Sequence, residues 1–243
     1  MTVVALIQAR MGSTRLPGKV MLPLDGVPVL THDIRGAAAA ETVETVVVAT
    51  SQRRQNDVIE RHARREGVGC FRGSETDVLG RLYAAARQYD ADCIVRLCGD
   101  HPLVAPEMID TAVRHIVDSD VELVSNRLKR TFPRGVAVEA FTMEAFATLE
   151  RLADEDHRET VTTYYRDHLD EFSHRHLVAD DVFDRSFRTE FPDLTRFRVV
   201  LDEPDDYERL RRIYEAVPYD TTLDLRDAVR YLAADRNHSS VDP

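Results

Sequence analysis

The chain lacks several features that would point to other classes of protein. No run of its 243 residues approaches the roughly 20 apolar residues of a membrane-spanning helix, so no membrane partner is expected. It has three cysteines, Cys70, Cys93 and Cys98, whose spacing fits no zinc site and which are expected to be buried free thiols. The first predicted strand begins so near the N-terminus that no signal peptide is expected, and the predicted location is cytoplasmic.

Lysine is scarce as well, and the 43 acidic residues outnumber the 32 basic ones. The formal net charge is −11, and the chain contains 30 arginines but only two lysines, Lys19 and Lys129. Nucleic-acid-binding proteins need a basic face, so this balance argues against a nucleic-acid partner. The length suits one large α/β domain, with or without an arm, that buries a substantial core.

What the chain does have is a dense cationic loop directly after its first apolar run. Residues 9–19 combine two glycines, two hydroxyls and three cations: Gly12, Gly18, Ser13, Thr14, Arg10, Arg15 and Lys19. Glycine lets backbone N–H groups approach an anion, and Arg and Lys donate charge-assisted hydrogen bonds to phosphate oxygens. The loop therefore predicts a polyphosphate site, although Val20 breaks the P-loop pattern. A basic surface loop without a ligand is the alternative.

Apolar runs alternate with helical patterns through the first half of the chain. Strands are predicted at residues 3–8, 45–49, 69–71 and 93–97, and helices at 29–40, 56–66, 77–89 and 106–118. This alternation predicts an α/β fold with a mostly parallel sheet and helices on both faces. Ligands of such sheets bind beyond the carboxyl ends of the strands, where residues 9–19 and 99–102 both fall.

The pattern changes at about residue 126. Strands at 136–141 and 172–178 and helices at 143–152 and 158–168 predict an inserted arm over about 126–190, which helps to form a ligand pocket, a dimer contact, or both. The chain then returns with a strand at 197–201 and helices near 207–216 and 225–234. We expect a single domain over 1–235 and a polar tail at 236–243.

Two carboxylates follow predicted strands. Asp100 follows the strand at 93–97, and Asp202 follows the strand at 197–201. Carboxylates in these positions can bind Mg²⁺, which bridges phosphate oxygens, so the pair indicates a nucleotidyl-transfer site. The alternatives are a simple turn residue for Asp100 and a helix cap or acidic loop for Asp202.

Five blocks of residues, at 7–19, 73–81, 96–103, 133–139 and 201–207, carry a resemblance to a known family. The sequence resembles the cytidylyltransferases that activate acidic sugars, above all the branch of spore-coat polysaccharide biosynthesis protein F. It is more distantly similar to CMP-ketodeoxyoctonate and acylneuraminate cytidylyltransferases. The resemblance implies a Rossmann-like nucleotide-diphospho-sugar transferase fold that binds CTP and Mg²⁺. In that family a sugar hydroxyl attacks the α-phosphate of CTP and pyrophosphate leaves, for the biosynthesis of surface polysaccharides and glycoconjugates.

The resemblance also implies roles for individual residues. Those assigned to catalysis are Arg10, Arg15, Lys19 and Asp100, and those assigned to the metal are Asp100 and Asp202. Residues assigned to the nucleotide are Ala9, Arg10, Gly12, Ser13, Thr14, Arg15, Lys19, Gly73, Asp77, Arg81 and Asp100. The sugar acceptor is assigned to Arg134 and Glu139, and the arm to a homodimer contact. A solvated helix residue is the alternative for Arg81, and a surface arginine for Arg134.

Two departures from the family pattern leave the acceptor open. Ala137 stands where these enzymes usually have Asp, and Thr160 stands where His is expected. They are the only support for a non-catalytic nucleotide-binding module. A nucleotide-sugar glycosyltransferase is the other alternative, but its usual D-x-D pattern is broken by His101 and Pro102. His101 is a candidate for phosphate contact or acid–base work, whereas His157 is expected on a solvated face.

Overall fold

The computed structural model describes residues 1–235, and the predicted tail at 236–243 lies outside them. The strands are β1 (Val3–Gln8), β2 (Pro23–Leu24), β3 (Val27–Pro28), β4 (Thr45–Ser51), β5 (Gly69–Gly73), β6 (Cys93–Cys98), β7 (Leu123–Ser125), β8 (Glu139–Thr142) and β9 (His174–His176). The helices are α1 (Val29–Ala38), α2 (Asp57–Arg65), α3 (Val78–Gln88), α4 (Pro106–Ser119), α5 (Met143–Leu152), α6 (Glu155–Arg158), α7 (Thr162–Asp167), α8 (Ala179–Val182), α9 (Arg185–Glu190), α10 (Pro204–Ala216) and α11 (Leu225–Ala234).

A central sheet of seven strands organises the fold. Its order is β5-β4-β1-β6-β8-β7-β9, and β2 and β3 form a separate hairpin. Only β8 runs against its neighbours β6 and β7, while the other pairs in this sheet are parallel. The predicted α/β fold with a mostly parallel sheet is confirmed.

The alternating side chains of β1 divide the core into two layers. Val3, Ala5 and Ile7 point to the layer built with α1, α2, α4, α10 and α11, whereas Val4 and Leu6 point to the layer built with α3, α5 and α7. Successive side chains of a strand face opposite sides, so a strand that is apolar throughout must be covered twice. Helices accordingly lie on both faces of the sheet. Among the described residues, no helix is long and apolar enough to cross a membrane.

The first half of the chain follows the predicted order of strands and helices, but the second half differs in several places. The predicted helix at 158–168 is broken at Val161, whose φ of 59° ends the helical path between α6 and α7. The predicted strand at 197–201 is extended, but within residues 1–235 its only sheet-like pairing is an isolated bridge between Arg134 and Arg198. The segment at 126–190 also contributes β8 and β9 to the central sheet.

Candidate active site

Two loops meet at the carboxyl edge of the sheet, because β1 and β6 are neighbours. The Gly99 N–H donates to the carbonyl oxygen of Gln8 at 2.9 Å. A Cβ on Gly99 would lie 3.1 Å from that oxygen and from Ala9 Cβ, so glycine lets the two loops approach closely. The loop at 9–19 and Asp100 therefore lie side by side, at the sheet edge where the sequence predicted both to fall.

The loop at 9–19 folds around a small cavity of about 280 Å³. Gly18, with φ 72°, and Ser13 both donate their N–H groups to the carbonyl of Met11 at 3.0 Å, and the Met11 N–H donates to Asn56 Oδ1 at 2.8 Å. Predicted nucleotide residues on the cavity wall are Ala9, Arg10, Gly12, Ser13, Thr14, Arg15, Lys19, Arg81 and Asp100. The cavity is therefore lined by glycine, hydroxyl and cationic groups, the chemistry that binds phosphates.

Lys19 lies between the two predicted metal carboxylates. Its ammonium forms ion pairs with Asp100 and, at 2.8 Å, with Asp202 Oδ1, and its side chain is only 11% exposed. Burial lowers the pKa of Lys19, but the attraction of both carboxylates outweighs this effect and leaves the pKa raised. Burial likewise acts to raise the pKa of Asp202, but the hydrogen bond and charge of Lys19, together with the charges of Arg15 and Arg198, outweigh burial and leave the pKa lowered. Lys19 and Asp202 thus each stabilise the charged form of the other.

A buried carboxylate fixes the position of Asp202. Asp206 accepts the backbone N–H groups of Asp202 and Glu203 at 3.0 Å and pairs with Arg198 at 2.6 and 2.8 Å. The Leu201 N–H donates to the carbonyl of Asp100 at 3.1 Å, which ties the two aspartate loops together. The acidic run at 202–206 therefore both caps α10 and sets the spacing of the two site carboxylates.

The other cations of the loop also face carboxylates. Arg15 lies 3.2 Å from Asp202, and Arg10 lies 3.4 Å from Glu159 and 3.9 Å from Glu75. Glu159 belongs to the segment between α6 and α7 that sequence reasoning read as continuous helix. Arg10 therefore connects the loop at 9–19 to the segment between α6 and α7.

Arg81 is buried beside the small cavity. Its side chain donates to the carbonyl of Ser74, and its Nε has no hydrogen-bond partner among the described residues. Burial lowers the pKa of Arg81 to about 10. A Cβ on Gly73 would lie 2.8 Å from Arg81 Cγ, so Gly73 leaves room for this side chain. A solvated surface position is thereby ruled out for Arg81 at 3% exposure.

Asp77 caps the N-terminus of α3. Its Oδ1 accepts the Gly80 N–H at 2.8 Å, and both of its oxygens pair with Arg158 at 2.9 and 3.0 Å. Neither Asp77 nor Gly73 lies on the wall of the small cavity. The structure places Gly73 at the end of β5 and Asp77 at the N-cap of α3.

A second cavity of about 690 Å³ opens next to the first. The residues that line both cavities are Gln8, Arg10, Asp100, Glu159 and Asp202. Arg134, Ala137 and Thr160 line the larger one only, so the predicted acceptor segment and both departures from the family pattern lie here. The two site aspartates thus stand where the cavities join.

Glu139 does not line either cavity. It is fully buried on β8, where it forms an ion pair with Arg96 and accepts a hydrogen bond from the Tyr165 hydroxyl. Arg96 in turn holds the side-chain oxygen of Gln8 at 3.0 Å. Both oxygens of Glu139 are therefore engaged within the core, and the residue reaches the cavity wall only through Arg96.

The two histidines singled out from the sequence occupy different settings. His101 is buried, its Nδ1 accepts the Ala137 N–H at 3.1 Å, and burial lowers its pKa, so it holds the loop as a neutral ring. His157 lies outside both cavities and pairs with Asp154. The three cysteines are free, as expected, with Cys93 and Cys98 buried and Cys70 partly buried.

Sequence reasoning missed several residues of the larger cavity, among them Arg127, Arg130, Arg166 and Gln8. Arg127 and Arg130 lie in the cationic stretch before Pro133, which was the one available signal. Arg166 is a single arginine on a short helix in a chain with 30 of them, so its position carried no signal.

Comparisons with known proteins agree with this geometry. A family model described as cytidylyltransferase matches residues 4–226. Spore coat polysaccharide biosynthesis protein SpsF of Bacillus subtilis (strain 168) is 32% identical over 218 residues, which cover 86% of this chain and 85% of that protein. A 3-deoxy-manno-octulosonate cytidylyltransferase of Trichlorobacter lovleyi is 42% identical over 113 residues, covering 46% of this chain and 44% of that one.

A solved structure extends the agreement to the whole fold. A cytidylyltransferase from Leptospira borgpetersenii superposes with a TM-score of 0.87 at 30% identity, covering 96% of this chain and 94% of that one. The family match spans both loops that carry the site aspartates, Asp100 and Asp202. From its site and its similarity over nearly the full length, the chain is a member of the cytidylyltransferase family, a family of nucleotidyltransferase enzymes.

Proposed function

We propose that this chain transfers CMP from CTP to a hydroxyl of a sugar acid or a related sugar, with Mg²⁺ and with release of pyrophosphate, for surface polysaccharide biosynthesis. One observation carries the proposal: Lys19 lies between Asp100 and Asp202, where the small cavity lined by the loop at 9–19 meets the larger cavity. The names of two relatives support the acceptor class: one is a spore coat polysaccharide biosynthesis protein, and the other is a 3-deoxy-manno-octulosonate cytidylyltransferase.

The small cavity takes the nucleotide. Arg10, Arg15 and Lys19 bind the triphosphate oxygens, aided by the backbone and hydroxyls of Gly12, Ser13 and Thr14. Ala9 and Arg81 lie toward the nucleoside, and Gly73 and Asp77 act by positioning Arg81 and α3. Phosphoryl-type transfer needs mainly charge neutralisation and in-line placement, which this loop supplies.

Asp100 and Asp202 would hold the metal. Asp100 and Asp202 both contact the Lys19 ammonium, so their oxygens lie close together. Carboxylate oxygens are the hard ligands that Mg²⁺ prefers, and these two residues therefore fit the ion. When bound, Mg²⁺ neutralises charge on the phosphate oxygens. Lys19 would donate to the leaving pyrophosphate, and Arg15 lies 3.2 Å from Asp202.

The larger cavity takes the acceptor. The acceptor hydroxyl forms the new bond to the α-phosphorus and releases its proton to solvent, while the bond from this phosphorus to the α,β-bridging oxygen breaks and pyrophosphate leaves. Arg134 is a candidate to bind an anionic group of the acceptor, and Glu139 acts through Arg96. The homodimer and the cytoplasmic location stay predictions.

The test is pyrophosphate release with Mg²⁺, each of the four ribonucleoside triphosphates, and a panel of sugar acids and sugar phosphates. We expect release only with CTP and one acceptor type. Asp100→Asn should abolish Mg²⁺-dependent release while circular dichroism stays unchanged, and the exposed Asp118→Asn should behave as wild type. Release of a nucleoside diphosphate from a nucleotide sugar would instead favour a glycosyltransferase.

A further inference from the structure

Gln8 stands at the end of β1, where the two cavities join. It is one of five residues that line both cavities, together with Arg10, Asp100, Glu159 and Asp202. Three of the other four are carboxylates, which only accept hydrogen bonds when ionised, and the fourth is a charged arginine. The Gln8 amide is therefore the one neutral side-chain donor among these five residues.

Gln8 belongs to a polar row that crosses one face of the sheet. On this face β1 is apolar at Leu6 and polar at Gln8, and β6 is apolar at Ile94 and polar at Arg96. Glu139 lies opposite Arg96 on the antiparallel strand β8. Because residues two positions apart share a face of a strand, these three polar side chains follow the apolar core on the same face of the sheet.

Arg96 fixes which end of the Gln8 amide is available to a ligand. The Nε and Nη2 groups of Arg96 both donate to Gln8 Oε1, at 3.2 and 3.0 Å. A guanidinium has no acceptor atom, so the amide atom that it contacts is the oxygen and not the nitrogen. Within residues 1–235, Gln8 Nε2 has no hydrogen-bond partner. The N–H₂ end of the amide is therefore free to donate to a molecule bound where the cavities join.

Arg96 is itself held by buried groups. Its Nη1 donates to Glu139, and the other oxygen of Glu139 accepts a hydrogen bond from the Tyr165 hydroxyl. That hydroxyl lies 3.1 Å from Ser125 Oγ. Arg96 is 4% exposed, and the other three side chains are fully buried. The orientation of the Gln8 amide is thus set by the core, which makes it a preorganised donor.

The fixed orientation limits what the Gln8 amide can do. Because its oxygen is occupied by Arg96, it donates a hydrogen bond but cannot take the proton of the acceptor hydroxyl. Phosphate oxygens only accept hydrogen bonds, and in phosphoryl transfer the charge is spread over the non-bridging oxygens of the reacting phosphate. That phosphate must lie where the cavities join, since the acceptor attacks it from one side and pyrophosphate leaves on the other.

We propose that Gln8 is a further catalytic residue, whose amide nitrogen donates a hydrogen bond to a non-bridging oxygen of the α-phosphate of CTP. Arg96 is a positioning residue that holds the amide in this orientation, and Glu139 acts through Arg96. This inference rests on the proposed function, because it adds a donor to the same site. Loss of one preorganised donor at a transition state lowers turnover by about 10²–10³.

Steady-state pyrophosphate release by the full chain tests this donor. Gln8→Met removes the amide, and we expect kcat to fall by about 100-fold or more while the KM for CTP stays within threefold of wild type. Gln8→Glu keeps an oxygen for Arg96 but lacks the N–H₂ group, so it should not restore kcat. Gln88→Met, at the exposed end of α3, is the matched control and should behave as wild type. A kcat within threefold of wild type for either Gln8 variant would overturn the inference, because Gln8 would then serve only as a partner for Arg96.

Nuclear magnetic resonance tests the contact without turnover. The chain has four glutamines, Gln8, Gln52, Gln55 and Gln88, so labelling glutamine with ¹⁵N gives few side-chain amide signals, and Gln8→Met identifies those of Gln8. The probe is α,β-methylene-CTP with Mg²⁺, which keeps the non-bridging oxygens of the α-phosphorus but cannot transfer CMP. It should shift the side-chain signals of Gln8 and leave those of Gln88 unchanged. Unshifted Gln8 signals although the analogue binds would contradict the contact. Failure of the proposed function would show separately, as no pyrophosphate release by the wild-type chain with any acceptor.

Discussion

Replacing Lys19 by Met removes the ammonium between Asp100 and Asp202 and keeps an unbranched apolar stem. Loss of one preorganised charged donor at a transition state costs about 3 kcal/mol, or roughly 10²–10³ in turnover. Among the described residues no other arginine or lysine pairs with Asp100, whereas Asp202 keeps Arg15 at 3.2 Å. We therefore expect kcat to fall by at least 100-fold.

Metal binding should change in the opposite direction. A divalent ion that binds both carboxylates would compete with the Lys19 ammonium, whose Nζ lies 2.8 Å from Asp202 Oδ1. At an effective dielectric constant of about 20, that contact alone corresponds to about 6 kcal/mol of Coulomb attraction before desolvation is subtracted. Lys19→Met should then bind Mn²⁺, used as a spectroscopic substitute for Mg²⁺, at least tenfold more tightly than wild type.

Pyrophosphate release measures the first effect, and electron paramagnetic resonance of free Mn²⁺ measures the second. The chain offers one matched control, because Lys129 is its only other lysine and is exposed. Lys129→Met should leave both quantities at wild-type values. A kcat of Lys19→Met within threefold of wild type, or weaker binding of Mn²⁺, would refute the reasoning.

Three further predictions concern the framework of the site. Arg96→Met should lower the free energy of unfolding by about 3–5 kcal/mol in urea titration, because Glu139 stays buried without its cation, and Arg96→Met/Glu139→Leu should recover much of the loss. Burial acts to raise the pKa of Asp206, but the hydrogen bonds from Arg198, Arg209 and the Asp202 N–H, with the charge of Arg198, together outweigh burial and lower the pKa to about 2 from the usual 3.8. Its contribution of about 2 kcal/mol is therefore present above the usual pKa and lost as pH falls from about 4 to 2, a step that acid titration should find missing in Asp206→Asn. Gly135→Ala should lower the free energy of unfolding by more than about 2 kcal/mol in the same urea assay. The φ of 110° is unfavourable for alanine, and its Cβ would lie 2.1 Å from Val200 N, where the two atoms would clash.

The parts of the fold that the sequence predicts are those set by local signals. The apolar run at β1 and the glycine-rich loop after it lie within 19 residues, so strand, loop and cationic site can be read together. The same holds for β6 and Asp100. Since parallel strands end at one edge, the meeting of these two loops could be predicted without any contact being known.

The parts that the sequence does not predict depend on distant partners. The apolar run at 197–201 reads as a strand, but its backbone bonds to Arg134 and Asp100 rather than to a neighbouring strand. Glu139 reads as a site residue, yet the antiparallel register of β8 places it opposite Arg96, 43 positions earlier, where the pair is buried. No local pattern shows either contact.

The central claim is that the CMP part of CTP moves to the acceptor, and position-specific labelling tests it most directly. CTP labelled at the α-phosphorus and CTP labelled at the γ-phosphorus are each incubated with Mg²⁺, the chain and the acceptor panel. The account predicts that the α label appears on the acceptor and the γ label in pyrophosphate. A γ label on the acceptor, or no transfer of either label although CTP binds, would contradict it.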